Sequence, residues 1–371
     1  MTAERLSRAR AAAVAAGLDA VLVTPGPDLR YLSGYDALPL ERLTCLVLPA
    51  SGDPVLVVPT LERPAAEASP AGAAGLEIID WRETDDPVAL VAKLLPGARI
   101  VAVDDHMWAE KVLRFRTAMP DVEQVLAGPV LRELRVRKDP DEVAALRAAG
   151  AAIDRVHARM GEWLRAGRTE REVGRDIADA ILDEGHQRVD FVIVASGANG
   201  ASPHHSLSER VIEAGDPVVA DIGGTTGEGY CSDETRTYLV GGKAPDEFVE
   251  AYDALHRAQV AAVEHARPGV TAESVDAAAR DVLTAAGIGD YFIHRTGHGI
   301  GLETHEEPYI VAGNMCLLEP GMAFSIEPGF YLPGRFGARI EDIVVMTSDG
   351  AERLNRRPRE LIILEAGHSN R

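Results

Sequence analysis

Five residues whose types suit metal chemistry stand in order along the C-terminal part of the chain: Asp221, Asp233, His298, Glu327 and Glu341. Asp221 ends the apolar run 217–220, and Asp233 follows 12 positions later. Between them lies Gly223-Gly224-Thr225-Thr226-Gly227, a stretch that reads as a hairpin turn able to bring the two carboxylates together. Taken alone, either aspartate reads equally well as a turn or capping residue. His298 sits in Gly297-His298-Gly299-Ile300-Gly301, where flanking glycines let another group approach the backbone. The stretch is not a dinucleotide loop, because Leu302 stands where the last glycine of GxGxxG is required, and His305-Glu306-Glu307-Pro308-Tyr309 lacks the second histidine of HExxH. His294, His298 and His305 together put three imidazoles within twelve residues, a density that favours a site over isolated structural roles. Glu327 and Glu341 lie in or beside strand-like apolar segments, where a charge is costly unless paired or metal-bound.

Considered together, four carboxylates and one imidazole make an oxygen-rich set of five. Four carboxylates in one place repel and partly protonate unless cations offset them. Two divalent cations about 3.5–4 Å apart do so, and they acidify a bridging water into a hydroxide nucleophile. Oxygen donors with a single imidazole favour Mn²⁺, Co²⁺, Fe²⁺ or Zn²⁺ over a thiolate zinc site.

The elements that must position these residues fall into two parts. From about 4 to 134 the chain alternates apolar runs of strand length (21–24, 43–48, 55–58, 76–79, 100–103) with helical stretches (4–17, 87–95, 108–118), an α/β pattern. This part, 1–134, carries no cluster of histidines, cysteines or acids and reads as a domain that covers or assembles something. A boundary follows at 135–139, and 135–371 reads as the catalytic domain. Asp139-Pro140-Asp141-Glu142 opens a long helix, with Asp139 as cap, Pro140 at the first helical position and Glu142 at the third. The second part repeats itself: 167–185 and 269–287 match at Gly167/Gly269, Thr169/Thr271, Val173/Val275, Asp179/Asp281 and Gly185/Gly287. Each repeat follows a long helix that starts Pro-Asp-Glu, and each predicts a threonine-capped helix ending at glycine. Two such halves facing each other leave a crevice, the usual place for a site.

Composition narrows the function. Across 371 residues, 58 acids and 38 bases give a formal charge of −20, a field that repels nucleic acid. Cys45, Cys231 and Cys316 form no CxxC pair, so neither a zinc knuckle nor a disulfide framework is indicated and a cytoplasmic protein is expected. No apolar run approaches the ~18 residues that read as a membrane span.

The ordered ligand set, with Gly-His-Gly-Ile-Gly, Ser325-Ile326-Glu327-Pro328-Gly329 and Arg339-Ile340-Glu341-Asp342 around it, resembles the pita-bread metallopeptidase family M24 over essentially the whole chain. The N-terminal part is similar to that of the prolidase and aminopeptidase P branch, and methionine aminopeptidases lack it. The resemblance implies an α+β chain in which a creatinase/prolidase-like α/β domain precedes a pita-bread catalytic domain with internal pseudo-two-fold duplication. It implies that Asp221, Asp233, His298, Glu327 and Glu341 bind two divalent metal ions, manganese foremost, with cobalt, zinc or iron as alternatives. Asp233 and Glu341 would bridge the pair. His204, in Ser202-Pro203-His204-His205, matches a substrate-contacting imidazole, with His205 the lesser candidate. His294 and His305 match residues that contact substrate and stabilise the tetrahedral intermediate, Arg339 a substrate-side arginine, and Glu327 the proton shuttle. Thr235 and Arg236 are candidates to orient the ligands, or ordinary strand residues.

The implied activity is hydrolysis of short peptides, foremost Xaa-Pro dipeptides, by a two-metal-bridged hydroxide in a homodimer without nucleic-acid or membrane partners. An aminopeptidase P-type activity on longer peptides is the alternative, because Tyr309 stands where several prolidases carry an arginine for the dipeptide carboxylate. Arg339, Arg335 or Arg295 must then supply the positive end. A silent binding scaffold would be expected to have lost ligands, and a metal-free creatinase-type hydrolase does not keep this set.

Overall fold

The computed structural model describes residues 2–365 and resolves the chain into two compact units, Met1–Arg135 and Val136–Arg371. Residues 1 and 366–371 lie outside the description.

In the first unit, β1 (Ala20–Val23), β2 (Cys45–Pro49), β3 (Val55–Pro59), β4 (Glu77–Trp81), β5 (Ile100–Val103) and β6 (Glu123–Leu126) form one sheet in the order β4-β3-β2-β1-β5-β6. β2 runs antiparallel to both its neighbours, whereas β3–β4, β1–β5 and β5–β6 are parallel. The apolar runs foreseen from sequence are these first five strands to within two residues at each end. They are apolar throughout because the central ones, β1 for instance, are buried on both faces. Helices α1 (Thr2–Ala15), α2 (Pro27–Ser33), α3 (Arg63–Ala68), α4 (Pro70–Ala73), α5 (Pro87–Lys93), α6 (Ala109–Ala118) and α7 (Gly128–Arg135) complete the unit. β6, α2, α3, α4 and α7 escaped the sequence reading: β6 is half-exposed with weak apolar content, and α2, for instance, is only seven residues long, started by Pro27 and stopped by Gly34 in a left-handed conformation.

The second unit begins with α8 (Pro140–Ala158), whose start is the foreseen capping box: the Asp139 carboxylate accepts from the Glu142 N–H at 2.9 Å, and Glu142 accepts from the Asp139 N–H at 3.0 Å. A short turn, α9 (Met160–Trp163), leads to α10 (Glu170–Asp183). Then come β7 (His186–Ser196), β8 (Asp216–Thr226) and β9 (Cys231–Val240), followed by α11 (Asp246–His265) and α12 (Ala272–Ala285). The duplication is present in three dimensions. Thr169 and Thr271 cap α10 and α12, and Gly185 and Gly287 end them with positive φ. Each capping segment is braced by a strand-like stretch: Gly167 N–H donates to Ile212 O at 2.9 Å, and Gly269 N–H donates to Leu318 O at 2.8 Å.

β7, β8 and β9 form an antiparallel sheet, with β17 (Ile362–Leu364) added parallel to β9. The second half supplies β10 (Gly297–Gly299), β11 (Glu306–Ile310), β12 (Ala323–Ile326), the hairpin of β13 (Gly329–Leu332) and β14 (Phe336–Arg339), then β15 (Asp342–Met346) and β16 (Ala351–Arg353). Its sheet runs β11-β10-β12-β15-β16. Apolar faces of the long helices close over these sheets. Phe248, Leu255, Val275, Leu283, Phe324 and Phe330 are in one cluster; Ile153, Val173, Ile177, Val218 and Tyr238 are in another.

The hairpin holding the two aspartates corrects the sequence reading in one respect. Asp221 does not end a strand; β8 continues five residues beyond it, and the turn is 227–230. Gly223 and Gly224 belong to the strand. A Cβ on Gly223 would lie 2.5 Å from the Phe191 ring, and one on Gly224 would lie 2.6 Å from the Arg188 carbonyl. Glycine there answers the close approach of β7 and, at Gly223, of the Ser232 carbonyl on β9, not a turn.

Candidate active site

Asp221 pairs with Thr235 across the hairpin and Gly223 with Asp233, so the two aspartates lie diagonally on one face of the β8–β9 ladder. β10 brings His298 beside them, and its short Gly-His-Gly frame is demanded by packing. A Cβ on Gly297 would sit 1.9 Å from Ser325 O, and one on Gly299 would sit 2.1 Å from Glu307 O. Glu327 leaves the end of β12, and Glu341 occupies the crossing between β14 and β15. All nine residues singled out from sequence — His204, Asp221, Asp233, His294, His298, His305, Glu327, Arg339 and Glu341 — line one cavity of about 640 Å³, together with Phe191, Ile193, Pro203 and Arg295.

Ligand atoms of Asp233, His298 and Glu341 lie within 4.8 Å of one another, all three residues buried. His298 Nε2 is 3.2 Å from Glu327 Oε1 and 3.7 Å from Asp233 Oδ2. The Asp221 carboxylate is split: Oδ2 accepts from Arg339 Nη2 at 2.5 Å, while Oδ1 is buried without a hydrogen-bond partner among the described residues. Burial pushes the Asp233 and Glu341 carboxyls well above their ordinary range, and repulsion from neighbouring carboxylates adds to it. Asp221 is raised by burial too, against the pull of Arg339. Burial also acts on Glu327, but the hydrogen bond and charge of His298 outweigh it and hold this carboxyl below its usual value. Three buried carboxylates and the mostly covered Glu327 thus face one buried guanidinium, with an orphaned oxygen among them. The donor set and its charge fit divalent cations, and Asp233, His298 and Glu341 form a metal-binding cluster.

The supporting contacts are specific. Thr235 Oγ1 donates to Glu341 Oε2 at 2.7 Å, which makes it the orienting residue its position suggested. Arg236 instead grips the backbone of Glu341, donating to its carbonyl O at 2.5 Å, and pairs with the Asp342 carboxylate, donating to Oδ1 at 2.7 Å. Ser325 Oγ accepts from the His298 N–H and donates to Glu327 Oε1, both at 2.9 Å. That role was missed from sequence, although Ser325 stood inside the quoted Ser-Ile-Glu-Pro-Gly motif. Tyr331 was also missed; no local pattern marks it. Arg339 Nη1 donates to its hydroxyl at 2.7 Å, and the hydroxyl lies 2.9 Å from His294 Nε2. His294 Nδ1 donates to Arg295 O at 2.7 Å, so Nε2 is the acceptor of the Tyr331 proton, and burial lowers the ring's pKa in keeping with this neutral form. His305 stacks edge-on to His298 with ring centroids 4.1 Å apart, and burial followed by the nearby His298 and Arg295 charges pulls it down to about 4.

The sequence pattern of metallopeptidase family M24 matches residues 144–348, and that of the creatinase/prolidase N-terminal domain matches residues 5–137. The chain belongs to metallopeptidase family M24. Within M24 it falls in the prolidase and aminopeptidase P branch, close to PepE-type dipeptidases. It is 58% identical over 364 residues to "Probable dipeptidase PepE" of Mycobacterium tuberculosis, covering 98% of this chain and 96% of that one. It is 36% identical to the Xaa-Pro dipeptidase of Lactobacillus helveticus, covering 91% and 92%. The crystal structure of dipeptidase PepE from Mycobacterium ulcerans superposes with a TM-score of 0.93 at 56% identity, covering 98% of each chain. The M24 fold, a creatinase-like α/β domain followed by a mixed pita-bread-like catalytic domain, is therefore this chain's, and it is a metal-dependent peptidase of short peptides. No helix among the described residues is long and apolar enough to cross a membrane.

Proposed function

We propose that this M24 member is an Xaa-Pro dipeptidase that uses two divalent cations, manganese foremost, held by Asp221, Asp233, His298, Glu327 and Glu341. The observation that carries the dipeptide preference is Arg295. Of the three arginines able to receive a free carboxylate, Arg339 is engaged by Asp221 and Tyr331, and Arg335 is paired with Glu247 in solvent. Arg295 lines the cavity, its guanidinium 4.4 Å from the Tyr309 ring centroid, with no acidic partner among the described residues. A stacked, planar cation leaves its donor edge free to grip a carboxylate bidentately. Tyr309 then serves as the platform for the arginine that it replaces in sequence. The dipeptidase names of the relatives support the same reading.

When bound, the cations supply Lewis-acid polarisation of the scissile carbonyl and an acidified water. The chain's own residues do the rest. His204 and His305, whose nitrogens make no hydrogen bond among the described residues, hydrogen-bond the substrate and the developing oxyanion. Glu327 accepts a proton and delivers it to the leaving nitrogen. Arg339 and Tyr331 hold Asp221 and His294 in place. The active species is a cytoplasmic homodimer, which sedimentation at assay concentration tests.

The deciding assay compares Ala-Pro, Ala-Pro-amide and Ala-Pro-Ala with protein chelated and reloaded with Mn²⁺, Co²⁺ or Zn²⁺. The expected result is preference for the free dipeptide, with Arg295→Met lowering kcat/KM for Ala-Pro at least tenfold while sparing the amide. Preference for the tripeptide moves the protein to the aminopeptidase side. Loss of both substrates alike in the variant removes the carboxylate role of Arg295.

A further inference from the structure

Adjacent histidines in this chain point to different tasks. His204 borders the catalytic cavity, whereas His205 directs Nε2 to the carboxylate of Glu170 at 2.7 Å. Glu170 is the first residue of α10, and its side chain is fully buried. Its Oε1 accepts from the Ser196 N–H at 2.8 Å, from Ser196 Oγ at 2.7 Å and from Asn199 Nδ2 at 3.0 Å. Its Oε2 also accepts from Ser208 Oγ at 2.5 Å. One carboxylate therefore gathers the entry, the turn and the exit of the segment that carries His204. So many donors, outweighing the cost of burial, hold the Glu170 carboxyl down at about 2 and keep it ionised.

The opposite side of the segment is fixed by backbone packing. A Cβ on Gly337 would lie 2.1 Å from Gly200 O, so the turn rests directly on β14. His204 itself makes no hydrogen bond among the described residues, and its position is set only through its neighbours. The same device appears in the second half of the duplication. Asp276 on α12 accepts from the Thr296 N–H at 3.1 Å and from Thr296 Oγ1 at 2.8 Å, and its partner Arg280 donates to His294 O at 3.0 Å. In each half, an acid on the second helix takes both the N–H and the hydroxyl of a Ser/Thr at the edge of a histidine segment.

We infer that Glu170 is a positioning residue for catalysis: through Ser196, Asn199, His205 and Ser208 it fixes the loop that holds His204 against the substrate. The inference rests on the reading of His204 as a substrate group. It requires that loss of the clasp act through His204 and not through metal binding, because Glu170 touches none of the five ligands. A displacement near 1 Å at a substrate-contacting group costs on the order of 10²-fold in rate.

The test is a double-mutant cycle on the full-length Mn²⁺-loaded protein, with a dipeptide that it cleaves. Glu170→Gln keeps the size but turns an acceptor into a donor facing donors. It is expected to lower kcat/KM about 10–100-fold, with the Mn²⁺ concentration for half-maximal thermal stabilisation changed less than about twofold. His204→Ala is expected to cost as much, and the double variant to match His204→Ala alone within about twofold. If the two losses multiply, or if Glu170→Gln retains full activity, the positioning role is overturned. A neutral His204→Ala overturns the substrate reading of that histidine as well, so the two failures are distinct. Should Glu170→Gln not fold, Ser208→Ala removes one donor only, and the same cycle with His204→Ala applies, with a smaller single loss and the same absence of multiplication.

Discussion

Asp233 is a buried carboxylate whose nearest charged neighbours, apart from Arg339 and His298, are Glu341, Asp221 and Glu327. Without cations it is a liability to the fold; with them it is a ligand. Asp233→Asn separates the two effects. In chelated protein the variant removes repulsion and burial cost of the order of 1–3 kcal/mol, so Tm should rise by a few degrees. In the same variant Mn²⁺ should no longer raise Tm appreciably, and peptide hydrolysis should fall by at least ~10³-fold, since a missing ligand removes a cation. Differential scanning calorimetry with and without chelator checks both signs. A lower Tm in the chelated variant would show that the carboxylates do not strain the metal-free fold. Glu327 sits in the same cluster, yet Ser325 and His298 hold it as an anion. Membership of one ordered set did not predict equal environments.

At the scale of elements, the chain's caps and turns were legible where the physics is local. Asp139 with Glu142, and Thr169 and Thr271 before their helices, satisfy orphan N–H groups of their own segments, and nothing distant needs to be known. The glycines of β8 misled for the opposite reason: Gly223 and Gly224 answer to neighbouring strands, among them Phe191 and Arg188 of β7 more than thirty residues away in sequence. Glu170 and Tyr331 carried no local signal either, because their partners meet only after the sheets assemble. Gly299 is the sharpest case of a distant constraint. Gly299→Ala drives a methyl into Glu307 O and is expected to cost more than ~3 kcal/mol, or a comparable loss by displacing β10. Mn²⁺-dependent stabilisation should weaken with it; an alanine variant with unchanged Tm and Mn²⁺ response would refute the packing argument.

His157 ties α8 to β9. Its Nδ1 lies 2.8 Å from Tyr238 Oη and its Nε2 3.1 Å from Glu234 O, and burial, then the Arg236 charge, lowers its pKa to about 3. The folded state thus binds its proton more weakly than the unfolded chain, whose histidines titrate near ~6.5. The stability linked to this depressed group is fully present above ~6.5 and drains as pH falls toward 3, by at most about 4–5 kcal/mol. His157→Gln should lower stability at pH 7.5 but flatten its decline between pH 6.5 and 4, as read by urea unfolding at fixed ionic strength. An unchanged slope in the variant would assign the acid sensitivity to other groups.

For the whole molecule, the decisive feature is that neither half of the duplication owns the proposed ligand set. Asp221 and Asp233 come from β8 and β9, whereas His298, Glu327 and Glu341 come from β10 and the ends of β12 and β14. The cavity exists because the two halves face each other, and cations held by the proposed set would link them. Ligand bound at 100 times its Kd stabilises by about 2.7 kcal/mol, which in a unit of this size shifts Tm by roughly 5–10 °C. Chelation should therefore lower Tm by that amount and Mn²⁺ should restore it. Hydrogen exchange gives the sharper result. If ligands from both halves close on the same ions, protection of 219–223 and 231–237 must appear at the same Mn²⁺ concentration as protection of 297–299 and 339–343. Protection confined to the β8–β9 hairpin would mean that the first half binds metal alone, and the five-residue set would have to be abandoned.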